Sequence, residues 1–274
     1  MSNLRRIIGA AAIVVAASTA AYADCKPASD FKTVTPGKLT VAMYNYPPFS
    51  MITNDSKPSG IDYEMVKATA AANCLEVVPL NLAAAAVVQS VVSGKADVAV
   101  GGWYRSEARS KVLGLTTPTY IDPMVSVSKD GLDTAEALVG KKVGTVTGYT
   151  WNGELQKAYG ANVKLYPDSL AMYQDLEQGR VDVGLDGSVA PVEAQKSGRL
   201  NGFKVAIMKP DQRISSSLEP AQSCLLYTHG NAGLGEALDA AITKIHKDGT
   251  LAKWISDAGF NPETANTGEP RFVK

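Results

Sequence analysis

Histidine is nearly missing from this sequence. Only His229 and His246 occur, and neither stands at metal-ligand spacing from a cysteine or an acid. There is no C-x-x-C and no H-E-x-x-H, so the common zinc and dithiol chemistries have no carrier. A Walker loop, a complete G-x-G-x-x-G and a G-x-S-x-G elbow are missing too, which removes the usual marks of nucleotide binding and serine hydrolysis. An excess of one charge is also lacking: 27 Lys+Arg against 27 Asp+Glu give a net charge of 0. Such a chain has no basic footprint for nucleic acid or an anionic membrane surface. Nothing here reads as an enzyme, and nothing calls for a cofactor. His246, in the last turn of an expected helix where a cation meets the dipole, reads as a surface residue.

Long hydrophobic runs are confined to the start. Arg5 and Arg6 precede an apolar stretch of small residues over 7–20, and Ala21-Tyr22-Ala23 follows as an A-x-A site. That is the pattern of a secretory signal peptide, residues 1–23, cut after Ala23. No Leu-x-Gly precedes Cys25, so lipidation is not expected. The mature protein is expected to be exported and soluble in the periplasm. About 250 residues remain, enough for two ordinary domains.

Cysteine is scarce, with three in the chain. In an oxidising compartment one pair and one spare is the natural arrangement. The pairing favoured here is Cys25–Cys74, which ties the loose start of the mature chain to the first domain. Cys224, inside the apolar run SCLLY, then serves as a small buried residue. Sequence alone leaves the other pairings open.

What the chain does have is a repeated phrase. SGKADVAVGG (93–102) returns as QGRVDVGLDG (178–187). Each copy follows a helical run, so Gly94 and Gly179 suit the left-handed residue that closes a helix. The apolar run after each reads as a buried parallel strand. Asp97 and Asp182 look like repeated structural acids. The echo belongs to a larger repetition. A strand over 37–44, a helix from an Asp62 N-cap to Asn73, a strand over 75–80 and the first echo make one βαβαβ unit. A strand over 140–148, a helix ending at Gly160, VKLY, a second helix and the second echo make another. Two α/β lobes facing each other across a cleft are expected, with ligands beyond the carboxyl ends of the strands.

Only 7% of the residues are aromatic, yet Tyr44, Tyr46, Phe49, Trp103, Tyr104, Tyr149 and Trp151 gather just beyond expected strands. Phe49 suits core packing. Tyr46, Trp103 and Trp151 suit flat walls for a ligand or cation. Ser106 reads as an N-cap, placing Arg109 in the first helical turn, where a cation opposes the dipole. A carboxylate held by Arg109 would account for that position.

With these residues in view, YPPFS (46–50), GIDYEM (60–65), VVSGKADVAVGGWYRSEAR (91–109), TTPTY (116–120), LVGKKVGTVTGYT (138–150) and LEQGRVDVGLD (176–186) resemble, in order and spacing, the family 3 extracellular solute-binding proteins, the polar amino-acid receptors of ABC importers. The likeness runs over roughly 37–258. It implies a type II periplasmic-binding fold: one lobe from residues 24–128 plus 219–260 and a second from 129–218. The tail over 261–274, polar with Pro and Gly, reads as flexible from its composition. The chain would cross near 125–130 and return near 214–220. By position, Tyr46 matches the aromatic that stacks on the ligand, Arg109 the arginine that grips an α-carboxylate, and Thr150 a hydroxyl near the same group. Tyr44, Gly102, Trp103, Tyr149, Trp151 and Asp186 complete the expected ligand-binding set. At Gly102 only the backbone N–H remains to serve. Gly187 stands where the family places an aspartate for the α-amino group, with Asp186 one place early. The implied function is capture of a small carboxylate-bearing solute by a monomer that delivers it to the membrane permease of an ABC importer. Two alternatives share the scaffold: a cyclohexadienyl-dehydratase-like enzyme, for which Asp186 is the candidate proton donor, and a sensory partner of a membrane receptor.

Overall fold

Leu39, Val41 and Met43 share one face of β1 (Lys38–Met43), but Thr40 and Ala42 on the other face are buried as well. A parallel strand covered by helices on both sides has no wet face, which is why the alternation read from the sequence does not persist. The computed structural model describes residues 25–52 and 57–273. The expected signal peptide lies outside the described residues.

After β1 come the hairpin strands β2 (Met51–Ile52) and β3 (Pro58–Ser59), then α1 (Ile61–Ala72), β4 (Glu76–Asn81), α2 (Ala84–Val92) and β5 (Val98–Tyr104). A short α3 (Glu107–Ser110), β6 (Leu113–Leu115) and β7 (Ile121–Asp122) lead to β8 (Met124–Ser128). The second half runs β9 (Val143–Val146), α4 (Asn152–Tyr159), β10 (Val163–Tyr166), α5 (Ser169–Glu177), β11 (Val183–Gly187), α6 (Val189–Lys196) and β12 (Lys204–Ile207). The chain closes with β13 (Ala221–Thr228), α7 (Ala232–Lys247) and α8 (Thr250–Asp257).

Beside the small β2-β3 pair, the described residues form two large sheets, ordered β4-β1-β5-β13-β6 and β10-β9-β11-β8-β12. Each has three parallel strands with the first in the middle, followed by one antiparallel strand. The echo sits at the same place in both. Gly94 and Gly179 adopt φ of 68° and 70°, and the following N–H reaches back to the helix, Lys95 to Ser90 O and Arg180 to Asp175 O. Asp97 accepts from Thr40 N at 2.8 Å, and Asp182 from Lys142 N at 2.8 Å. The repeated acids thus tie the third strand of each unit to the first.

Three expectations need correction. The first lobe does not extend to residue 128: β7 pairs with β13 in the first sheet, whereas Met124–Ser128 already pairs with β11 and β12 in the second. The crossing therefore falls at Asp122–Met124, where Pro123 supplies no N–H to continue a ladder. The polar tail is not loose along its length. Gln222, almost fully buried, donates to Thr267 O and Glu269 O and accepts from Arg271 N, and Val273 N donates to Arg105 O. His246 is half-buried, with Nε2 3.2 Å from Pro118 O. The Cys25–Cys74 disulfide is present and Cys224 is free and buried.

Candidate functional site

The carboxyl ends of β1, β5, β9 and β11 converge between the sheets. Tyr46, Gly102, Trp103, Tyr104, Arg109, Tyr149, Thr150, Trp151 and Gly187 line the cavity there. Its volume is about 10 Å³, on the order of one water position. Loops from both sheets meet around it, so a solute of any size enters only if they part.

Two of the expected residues stand behind this lining. Tyr44 is buried, donates to Gly101 O at 2.9 Å and stacks on Tyr46 with ring centroids 5.9 Å apart. Asp186 is buried at the end of β11, where its oxygens accept from Tyr149 OH (3.0 Å), Tyr173 OH (2.7 Å) and Gly187 N (2.8 Å). Burial pushes the Asp186 carboxyl above its ordinary range.

The indoles are fixed by their own N–H groups, Trp103 to Val100 O and Trp151 to Thr145 Oγ1. Tyr104 and Tyr149 both meet Trp151 edge-on. Phe49 packs on Tyr120 with centroids 3.8 Å apart, in the core as expected.

Arg109 lies over the Trp103 ring at 5.1 Å. Ser106 does cap α3, accepting from Arg109 N at 3.3 Å. The guanidinium donates to Tyr104 O at 2.6 Å and to Gly148 O at 3.2 Å, joining β5 to the loop after β9. Among the described residues no carboxylate pairs with it, and burial lowers its affinity for the proton. Thr150 lines the same cavity, with Oγ1 3.3 Å from Ser216 Oγ. An arginine with donors to spare and no anion of its own can grip a carboxylate in both directions of its planar fork.

Gly102 does not offer a free N–H. Both Gly101 N and Gly102 N donate to Asp62 Oδ2, at 2.9 and 3.1 Å. Asp62 is consequently not the N-cap of α1; Gly60 holds that position. Asp62 sits in the first turn, buried, where the positive end of the helix dipole favours an acid. Burial nonetheless raises its pKa to about 6.

Sequence reasoning missed Asp122 altogether. It is fully buried at the crossing, with Oδ2 accepting from Tyr46 OH at 2.6 Å and Oδ1 from Ser188 N and Oγ at 2.6 and 2.9 Å. Burial raises its pKa to about 6 despite those donors. The one signal available was an acid inside the apolar run YIDPM.

Two α/β units closing on an aromatic cleft define a cleft-binding protein of the type II periplasmic-binding fold. The chain belongs to the bacterial extracellular solute-binding proteins, family 3, whose profile matches residues 39–258. It is 29% identical over 229 residues to the L-cystine-binding protein TcyJ of Escherichia coli (strain K12), covering 80% of this chain and 83% of that one. It is 30% identical over 218 residues to ABC transporter arginine-binding protein 1 of the same strain, covering 78% and 87%. Among solved structures, an ancestral arginine-binding protein bound to arginine superposes with a TM-score of 0.69 at 26% identity, covering 81% and 97%. The substrate-binding protein AbpA of Streptococcus pneumoniae, bound to L-arginine, gives 0.69 at 26%, covering 84% and 96%. These relatives are named as binding proteins. Among the described residues no helix is long and apolar enough to cross a membrane.

Proposed function

We propose that the protein is a periplasmic receptor that captures a small carboxylate-bearing solute, an amino acid or a derivative of one, and delivers it to the permease of an ABC importer. The observation that carries this reading is Arg109. Its guanidinium bridges backbone from both units, lines the cavity and has no carboxylate of its own. A solute carboxylate would complete its bonding and hold the two units together, so binding and closure would favour each other. The relatives named for cystine and arginine support an amino-acid-like solute.

Catalysis by Asp186 has less support, because the relatives are named as binding proteins. The test is a thermal-shift screen on mature protein stripped of co-purified solute by unfolding and refolding. A solute at 100 times its Kd adds about 2.7 kcal/mol, roughly 5–10 °C for a chain of this size. A hit among carboxylate-bearing solutes supports the reading. A response confined to sugars or other carboxylate-free solutes removes it.

A further inference from the structure

The cleft contains more buried negative charge than its own side chains neutralise. Asp62, Asp122 and Asp186 are 1%, 0% and 0% exposed. Among the described residues none forms an ion pair; their hydrogen-bond donors are neutral hydroxyls and backbone N–H groups. Arg109 is the cation at the cavity wall. A buried carboxylate without a cation is costly, and such a site favours a ligand that brings one.

Geometry selects Asp122 among the three. A Cβ built on Gly187 would stand 2.3 Å from Asp122 Oδ2 and 2.0 Å from Tyr46 OH. The carboxylate and the phenol therefore occupy the room that a side chain at 187 would take, at a residue that lines the cavity. A second, independent observation lies beside them. Tyr104 is 5% exposed and lines the cavity, yet its hydroxyl has no hydrogen-bond partner. Asp122 is the charge that acts most strongly on this hydroxyl, and the two groups stand close, short of a hydrogen bond of ordinary geometry. The rings of Tyr46 and Tyr104, with Trp151 edge-on to the latter, add aromatic surface suited to a cation.

We propose that Asp122, reaching past Gly187 with the Tyr46 and Tyr104 hydroxyls beside it, is the acid that holds the cationic group of the solute, an ammonium or a guanidinium. This rests on the function proposed above and narrows it: the solute is a zwitterion or a cation-bearing acid, with its carboxylate at Arg109 and its positive group at Asp122. Recognition of charge would then sit on the segment that crosses between the two sheets.

The test uses isothermal titration of the refolded mature protein with L-arginine, L-lysine, L-cystine, glycine betaine and the amine-free acids glutarate and phenylacetate. Wild type is compared with Asp122→Asn and, as a check on packing, Asp122→Ala. The expected result is binding confined to cation-bearing members, weakened ~30-fold or more in Asp122→Asn, with the ligand-free melting temperature of that variant equal to or above wild type. Titrations near pH 6 in two buffers of different ionisation enthalpy add a readout that packing does not move: proton release on binding, reduced in Asp122→Asn. Binding of glutarate or phenylacetate as tight as the best amino acid, with loss in Arg109→Ala, would overturn the role of Asp122 and leave the receptor reading standing. Cation-bearing members bound within twofold by Asp122→Asn would also overturn it. Binding of none of the panel would count against both.

Discussion

The Tyr46 hydroxyl donates a 2.6 Å hydrogen bond to Asp122 Oδ2 across 76 positions of chain. Both atoms lie where a side chain on residue 187 would be. Gly101 and Gly102 show the same complementarity, since a Cβ on either would strike the rings of Tyr44 and Tyr46 at 2.3 and 2.4 Å. Gly101, Gly102 and Gly187 thus leave the spaces that two tyrosines, and one acid, fill.

Gly187→Ala should therefore be expensive. Tyr46 is stacked on Tyr44 and Asp122 is bound by Ser188, so neither moves freely. Overpacking of this kind costs about 1–3 kcal/mol. Urea unfolding of the ligand-free variant should show a lower midpoint at unchanged slope. Stability equal to wild type would mean that the Tyr46–Asp122 pair yields easily.

Protonation of the buried acids should leave a mark on stability. Burial holds Asp62 and Asp122 up to about 6, against an ordinary value of 3.8. Between those values the folded state binds more protons than the unfolded one, so their contribution falls as pH rises from 4 to 6. Asp186 shifts in the same direction. His246, lowered by burial, pulls the opposite way below pH 6.5, and Asp211, lowered to about 2 by Arg213, does so below its ordinary range. The difference between wild type and Asp122→Asn isolates one acid. Chemical denaturation at pH 4.5, 5.5 and 7 should show Asp122→Asn gaining on wild type as pH rises. A constant difference would place the Asp122 pKa near its ordinary value.

The disulfide closes a loop with a sequence separation of 49 residues. Chain entropy puts its contribution at about 4 kcal/mol as an upper figure. Cys25→Ser with Cys74→Ser should lower stability by about 2–4 kcal/mol without altering solute affinity. In the unfolded, non-reduced wild type, a thiol reagent should label Cys224 alone.

What the sequence made legible was the part governed by local rules. Helix, left-handed glycine and buried strand must follow one another in each βαβ unit, so the echo could be read twice and placed correctly. Ser106 was legible as a cap, but the dipole argument for Arg109 does not carry over, because α3 is a single turn, Glu107–Ser110, that leaves Arg109 in its last turn as much as its first. Asp62 misled because an acid at a helix start serves equally as a cap or as an inward-facing anchor, and only Gly101 and Gly102, 39 and 40 residues on, decide between them. The tail misled for a similar reason. Its polar composition suits disorder, but the residue that pins it is Gln222, on a buried strand far upstream. Asp122 was invisible because no periodicity links positions 46, 122 and 187.

The most direct measurement is the affinity of Arg109→Ala for the best solute from the screen, set beside wild type by isothermal titration. If Arg109 holds a buried carboxylate, the variant should lose about 2–5 kcal/mol of binding, beyond whatever ligand-free stability goes with its bonds to Tyr104 O and Gly148 O. An affinity unchanged within error would contradict the role given to Arg109, and with it the carboxylate that the proposed function places in this cleft.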